Sequence, residues 1–407
     1  MVGTEKMLGA KRWGFGGLWA VWAVAMLGLA DNLSGVVFLG TDDPEHNTSA
    51  PEGDLVGSGW QFLGRWGIFV GTVIGPHHFI TARHVGGRIG RAFQYRGEAY
   101  TARAIYEFGP NDLRIWEVCE AMPGPYASLY LDQDELHKPL VVFGRGRLRG
   151  AEVWLDTPEG RELRGWRVGP SDNRLRWGQN EVSEIVDYAD LYDSAEPGEL
   201  EFLWAEFNRE GSFNEAHLSV GDSGGAVFLE RDGVWALAGV VMGAFGRFNE
   251  VPENPGYLAT LFDGGGFYLR SLAGDPVRRP RVTNLGCDNL MPRAGDQYEW
   301  IFLDDSDEAV GNGFLATRIS NYADWIGDVM AGRVAPCFQG PWAVSASSAE
   351  GAFDFELGQK HDPASRTFRI PIKEGARFFR VAGCQPFDLA GWSVEGDSLV
   401  LRYQAAP

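Results

Sequence analysis

Between Val36 and Cys119 the chain alternates short apolar runs with Gly, Pro and Asn breaks. Residues 67–74 (GIFVGTVI), 79–82 (FITA) and 112–118 (DLRIWEV) have the length of strands, and no helical period interrupts them. Met122-Pro123-Gly124-Pro125 breaks the pattern and predicts a linker. Strand-like runs resume at 140–143 (LVVF), 151–155 (AEVWL), 226–229 (AVFL) and 235–241 (WALAGVV). Two β units in succession is the simplest architecture for this pattern.

A different period enters at residues 320–330. Tyr322, Ile326 and Met330, with Trp325 and Val329 beside them, fall on one face of a short helix, and Ser320 is placed to cap it. After Gly332 the text returns to short β-like runs, such as 367–372 and 398–402. That tail predicts a separate small β module. No internal repeat or low-complexity tract is visible.

Composition narrows the class. At 407 residues the chain is too long for one small core, and 44% apolar against 22% charged residues describes a folded protein. Its 55 glycines and 21 prolines suit many turns and short strands rather than a helical bundle. The net charge of −19 argues against nucleic acid or an anionic membrane surface as a partner.

The first residues predict export. Lys6, Lys11 and Arg12 precede an apolar stretch at 18–29 that is short for a membrane span, and Gly28-Leu29-Ala30 offers small residues for cleavage after Ala30. The expected protein is therefore secreted or periplasmic, without a stable membrane anchor. Export permits disulfides among Cys119, Cys287, Cys337 and Cys384, which allow three complete pairings. Cys337–Cys384 is the favoured pair, because both lie in the tail. No CxxC spacing suggests zinc. Asn32 and Asn47 match the glycosylation pattern of a eukaryotic host.

The chemistry concentrates in three segments. Gly221-Asp222-Ser223-Gly224-Gly225 sets a serine among glycines that let the backbone turn tightly, so that N–H groups converge on a developing oxyanion. A serine hydroxyl needs a base, and Thr81-Ala82-Arg83-His84-Val85 supplies a histidine at a strand end. His77 and His78 are assigned to a surface turn. Asp112 opens a strand 28 residues after His84 and could hold the imidazole tautomer. Each segment has a plain structural alternative: a glycine turn, a structural histidine, an Asp before a strand. The order His, Asp, Ser weighs more than any one piece.

Together these segments resemble the trypsin/chymotrypsin family of serine proteases. Two further patches agree: residues 237–241 (LAGVV) resemble the strand after the nucleophile, and 313–326 (GFLATRISNYADWI) the last strand and C-terminal helix. The resemblance implies an all-β fold of two antiparallel barrels with a short C-terminal helix. It would place the first barrel at 31–137 and the second at 138–332, with an insertion at 244–312 and the β module at 333–407. It implies His84 as base, Asp112 as its orienting group, Ser223 as nucleophile, and the amides of Gly221 and Ser223 as oxyanion hole. Protein or peptide substrates and no cofactor are implied.

The departures matter as much. Val85 and Ser219 stand where the family has cysteines, and Met242 where it often has a serine that bonds the Asp. No basic cleavage site precedes an Ile-Val-Gly-Gly start, so activation by a new N-terminus is not expected. Asp222 then needs another partner or solvent. The insertion holds Asp263-Gly264-Gly265-Gly266 and the acidic run 304–308, read as acidic surface rather than a calcium loop. His217, with Gly243 and Gly313, is the candidate pocket, open to an acidic or aromatic side chain. The rival to an active protease is an inactive binding protein of the same family; an esterase with a Gly-x-Ser-x-Gly elbow is argued against by the absence of that motif.

Overall fold

A computed structural model describes residues 36–109, 111–187, 201–244, 246–252, 255–272, 298–305, 311–346, 354–355, 359–372, 378–385 and 387–405. The expected export segment, Asn32, Cys287 and residues 306–308 lie outside the described residues. None of the described helices is long and apolar enough to cross a membrane.

The chain enters through β1 (Val37–Phe38), then builds β2 (Leu63–Trp66), β3 (Phe69–Val73), β4 (His78–Ala82), β5 (Ala92–Tyr95), β6 (Glu98–Glu107) and β7 (Leu113–Val118). Antiparallel pairing runs β6-β5-β2-β3-β4-β7, and β7 pairs again with β6, closing a six-stranded barrel. Closure removes the sheet edges, which in an open sheet would leave unpaired amides. Along β6 the residues alternate, so Tyr100, Ala102, Ala104 and Tyr106 point inward. Aromatic rings fill the interior: Phe79 stacks on Phe93 at 3.9 Å between centroids, and Trp66 lies 4.6 Å from Trp116. Gly71 makes this possible, since a Cβ there would come within 2.7 Å of the Phe79 ring. His77 lies in a bend as expected, whereas His78 opens β4 and is half-buried.

The next strands are β8 (Pro139–Gly144), β9 (Arg149–Thr157), β10 (Gly160–Val168), β11 (Arg176–Glu181), β12 (Glu184–Asp187), β13 (Glu201–Phe207), β14 (Ala216–His217), β15 (Ala226–Arg231) and β16 (Val234–Ala244). They are followed by β17 (Arg247–Asn249), β18 (Tyr257–Leu261), β19 (Tyr268–Leu272), β20 (Tyr298–Phe302) and β21 (Asn312–Arg318). Seven of these form a second sheet, ordered β11-β8-β15-β16-β21-β13-β12, which curves as a half-barrel. Its inner face carries Leu140, Val142, Leu203, Val227, Leu229, Val241 and Phe314. The insertion is not a bare loop. Strands β17 to β20 meet the β9–β10 hairpin through β18 in a six-stranded sheet with its own core of Val153, Phe248, Leu261 and Leu269. There Arg164 takes the carboxylates of Asp263, of Asp305 at 2.9 Å and of Glu162 at 3.2 Å, so the acidic segments serve an arginine.

Helix α1 (Ala323–Met330) buries Trp325, Ile326 and Val329 in the same core as the first barrel. Ser320 does not cap it. A 3-10 turn at Ser320–Tyr322 comes first, and the Ser320 hydroxyl donates to Glu135 at 2.7 Å, within a network that also pairs Glu135 with Arg318. The helix therefore starts two residues later than its sequence signal.

The tail forms β22 (Phe338–Gln339), β23 (Trp342–Ala346), β24 (Asp354–Phe355), β25 (Lys360–Asp362), β26 (Thr367–Pro371), β27 (Phe378–Ala382), β28 (Phe387–Glu395) and β29 (Ser398–Ala405). β22 adds itself to β6 of the barrel, with Phe338 opposite Ile105. This docking corrects the expected disulfide. The bond joins Cys119 to Cys384, with Cα atoms 5.1 Å apart, and Cys337 is an exposed free thiol. Cys337 is held by its amide on Ile105 O at 2.8 Å, while Cys119 follows β7 and meets the end of β27. Nearness in sequence was the wrong guide, because a disulfide needs Cβ atoms brought together by the ladders.

The bond closes a loop of 265 residues, for which chain entropy sets a contribution of up to about 5 kcal/mol. Replacing Cys119 and Cys384 by Ser should lower the thermal midpoint by several degrees under non-reducing conditions. Cys337→Ser should leave it unchanged; equal shifts in both variants would reject this pairing.

Candidate active site

His84 and Asp112 are brought together by strand register. β4 pairs with β7 so that Ala82 lies opposite Leu113, and just beyond that rung Arg83 N–H donates to Asp112 O at 2.7 Å. The chain then leaves β4 in a tight turn at Arg83–Val85, closed by Gly86 at φ +64°. The Asp112 carboxylate receives two bonds from one residue. Its Oδ1 accepts the His84 amide at 2.9 Å, and its Oδ2 lies 2.5 Å from His84 Nδ1. Both side chains are shielded, His84 at 2% and Asp112 at 11% exposure. A carboxylate facing Nδ1 requires a proton there, which places the imidazole lone pair on Nε2.

Ser223 sits between two backbone turns that only glycine adopts without strain: Gly221 at φ +106° and Gly224 at φ +75°. The neighbouring amides are committed, with Gly224 N–H on Val241 O at 2.8 Å and Gly225 N–H on Asp222 O at 2.9 Å. The first fixes the loop to β16 and the second closes the loop on itself. Gly224 also presses on β4: a Cβ there would overlap Thr81 Oγ1 and come within 2.8 Å of Val70 O. The serine loop of the second sheet thus abuts the strand that ends at His84. Ser223 itself is 8% exposed.

Asp222 is fully buried and does not face solvent. Its carboxylate accepts from Gly146 N–H at 2.6 Å, Ser219 N–H at 2.7 Å, the Ser219 hydroxyl at 3.0 Å, and the amide of Val36. Burial outweighs these donors and pushes the carboxyl up to about 6. Val36 is itself buried and holds φ +64°, a left-handed conformation that a β-branched residue rarely adopts. Sequence reasoning missed Gly146 and Val36 as partners. Ser219 was visible only as a departure from a cysteine.

The three pocket candidates gather around β21. Gly313 belongs to that strand, Gly243 pairs with Leu315, and His217 contacts Asn312 and Gly313. His217 is 1% exposed, with Nδ1 2.5 Å from Leu218 O and its ring against Phe207. Burial drops its pKa to about 4, so it is a neutral imidazole near neutral pH. Met242 is buried, and the Asp112 carboxylate is held by His84. Asn47 donates its amide nitrogen to Trp177 O at 2.9 Å, which ties up the atom a glycan would occupy.

No family model matches the chain, and no curated protein matches it in sequence. Among solved structures it is similar to an inactivated protease paralogue of the scabies mite, S-D1, at 14% identity and a TM-score of 0.34. That alignment covers 66% of this chain and 89% of the other. A likeness this slight adds nothing to the geometry.

The raised carboxyl gives a pH dependence of known sign. Asp222 ionises at about 6 in the fold against an ordinary 3.8, so the folded state favours the protonated form. This contribution is complete below about pH 3.8 and is lost as pH rises through 6; it amounts to roughly 3 kcal/mol at most. Urea unfolding of wild type and Asp222→Asn at pH 4 and pH 7 checks it. The stability difference between the two pH values should shift in the variant, wild type losing more on going to pH 7.

Proposed function

We propose that the chain is an exported serine hydrolase that cleaves peptide bonds through an acyl-enzyme. The observation that carries this reading is the His84–Asp112 pair, doubly bonded, beside a serine held on a glycine turn against the same strand. In the proposed reaction Ser223 Oγ attacks the carbonyl carbon while its proton passes to His84 Nε2. Asp112 stabilises the imidazolium and keeps its orientation. The amides of Gly221 and Ser223 receive the oxyanion. The C–N bond then breaks as His84 returns the proton to the leaving amine, and water releases the acyl group by the same steps. His217, Gly243 and Gly313 are assigned to the primary pocket, where a buried neutral imidazole suits an uncharged or hydrogen-bonding side chain better than a lysine or arginine. Export is supported by the Cys119–Cys384 bond, which persists in oxidising compartments. The units proposed from sequence, 31–137, 138–332 and 333–407, remain the working division.

Labelling with a fluorophosphonate tests the reading. Wild type should be labelled and Ser223→Ala should not, with His84→Ala and Asp112→Asn slowed by about 10³-fold or more. Well-folded wild-type protein that resists the probe would favour the inactive binding protein.

A second reading concerns activation, and the Val36 geometry favours it against the expectation from sequence. Hydrolysis of the Gly35–Val36 bond would free Val36 from the constraint behind its φ of +64° and turn its amide into an ammonium beside the buried Asp222 carboxylate. A chain beginning at Val36 should label at least tenfold faster than one beginning at Asp31. Equal rates would exclude a role for the new terminus.

A further inference from the structure

Many arginines of this protein are paired with carboxylates. Arg176 meets Asp172 at 2.7 Å, Arg318 meets Glu135 at 2.6 Å, and Arg83 meets Glu107 at 3.6 Å. With 55 acidic residues against 36 basic ones, carboxylates are in excess. Others, among them Arg96, Arg147, Arg149, Arg209 and Arg247, bond only carbonyl oxygens through their guanidiniums, and Arg65, Arg91 and Arg145 likewise are in no ion pair among the described residues.

They converge on the turn between β2 and β3. Arg65, at the surface on β2, donates Nε to Gly67 O at 2.6 Å. Arg91 packs against Gly67, its guanidinium 4.8 Å from the centre of the Trp66 ring. Arg145, which follows β8 in the second sheet, donates Nη1 to Asn173 O at 2.8 Å. With its side-chain amide in the orientation that satisfies both atoms, Asn173 donates its nitrogen to Ile68 O at 3.1 Å and its oxygen accepts from Arg65 Nη2 at 3.2 Å. Only amide oxygens thus receive the guanidiniums of Arg65 and Arg145, and Arg145 Nε is buried with no acceptor. The charge acting on Arg145 is that of Arg65, and burial with that repulsion lowers its pKa to about 10. A partly desolvated cation beside a second cation, as Arg145 is beside Arg65, is a setting that a bound carboxylate relieves.

Their place is beside the candidate site. Arg145 O lies 3.6 Å from where a Cβ on Gly221 would stand, and the next amide, of Gly146, holds Asp222. Trp66 donates Nε1 at 2.9 Å to Gly86 O, two residues past His84. The backbone of Arg145 therefore lies against the loop of Ser223, and Trp66, on which Arg91 packs, is bonded to the turn of His84.

We propose that Arg65, Arg91 and Arg145 form an anionic subsite that receives an Asp or Glu side chain of the peptide substrate, close to the bond that is cleaved. This rests on the hydrolase reading and adds to it a class of substrate: acidic peptides. Planar guanidiniums from two sheets suit a carboxylate, which accepts two N–H donors side by side.

The test is digestion of a proteome-derived peptide library, with fluorophosphonate labelling of Ser223 run in parallel. Cleaved bonds should be enriched at least fivefold in Asp or Glu at one fixed position within three residues of the cut. In Arg65→Gln/Arg145→Gln the enrichment should fall to background while labelling stays within twofold of wild type. Arg65→Gln alone, at an exposed position, should remove part of the enrichment and guards against misfolding of the double variant. Cleavage without an acidic position, or enrichment that survives in variants that still label, would overturn the subsite and leave the hydrolase. Failure of wild type to label would remove the hydrolase reading and the subsite with it.

Discussion

One rung of one ladder organises this molecule: Ala82 of β4 opposite Leu113 of β7. Antiparallel register has a period of two, so a slip of one residue would reverse every side chain on the strand. The register is fixed from below by Phe79, Ile80, Ile115 and Trp116, all buried in the barrel. Above the rung the strands end, Arg83 N–H bonds Asp112 O, and the next residue on the β4 side is His84. The carboxylate–imidazole pairing of Asp112 and His84 is thus a consequence of aromatic packing several residues away. The barrel must close for this to hold, because β7 is anchored on both sides, by β4 and by β6.

The second sheet meets this constraint through a loop whose rigidity comes from burial of a charge-bearing group. Asp222 points inward among amides of Val36, Gly146 and Ser219. Three separate stretches of chain thereby converge behind Ser223, and the loop is tied in front by Gly224 to Val241. The same carboxyl is pushed up to about 6, so the device that orders the loop also works against stability near neutral pH. Val36 carries part of this tension in its backbone. The arginine cluster has the same character: like charges held close, at the junction of the two sheets.

The last quarter of the chain acts on the first. Helix α1 returns across the molecule to bury Trp325 and Ile326 against the first barrel, with Phe108 beside Tyr322 and Trp325. The tail then adds β22 to β6 and fastens itself through Cys119–Cys384. Both contacts fall on the barrel that carries His84 and Asp112, so segments distant in sequence brace the ladder on which the pair depends.

Local features were legible in the sequence because their causes are local. Short apolar runs at 67–74, 79–82, 112–118, 140–143 and 226–229 each contain a strand, and the helical spacing read at 320–330 contains the helix at 323–330. Glycines at 221 and 224 announced a tight turn, and the reading that set Asp112 against His84 named two residues that strand register does bring together. What sequence could not decide was anything set by contact between distant stretches. The partner of Cys384, the donors around Asp222, the burial of His217, the use of Ser320 by Glu135 and the meeting of Arg65 with Arg145 each join residues dozens to hundreds of positions apart, or depend on what such contacts exclude from water. A chain records its own periods and turns residue by residue; which buried surfaces meet is fixed only when the strands pair and the core closes.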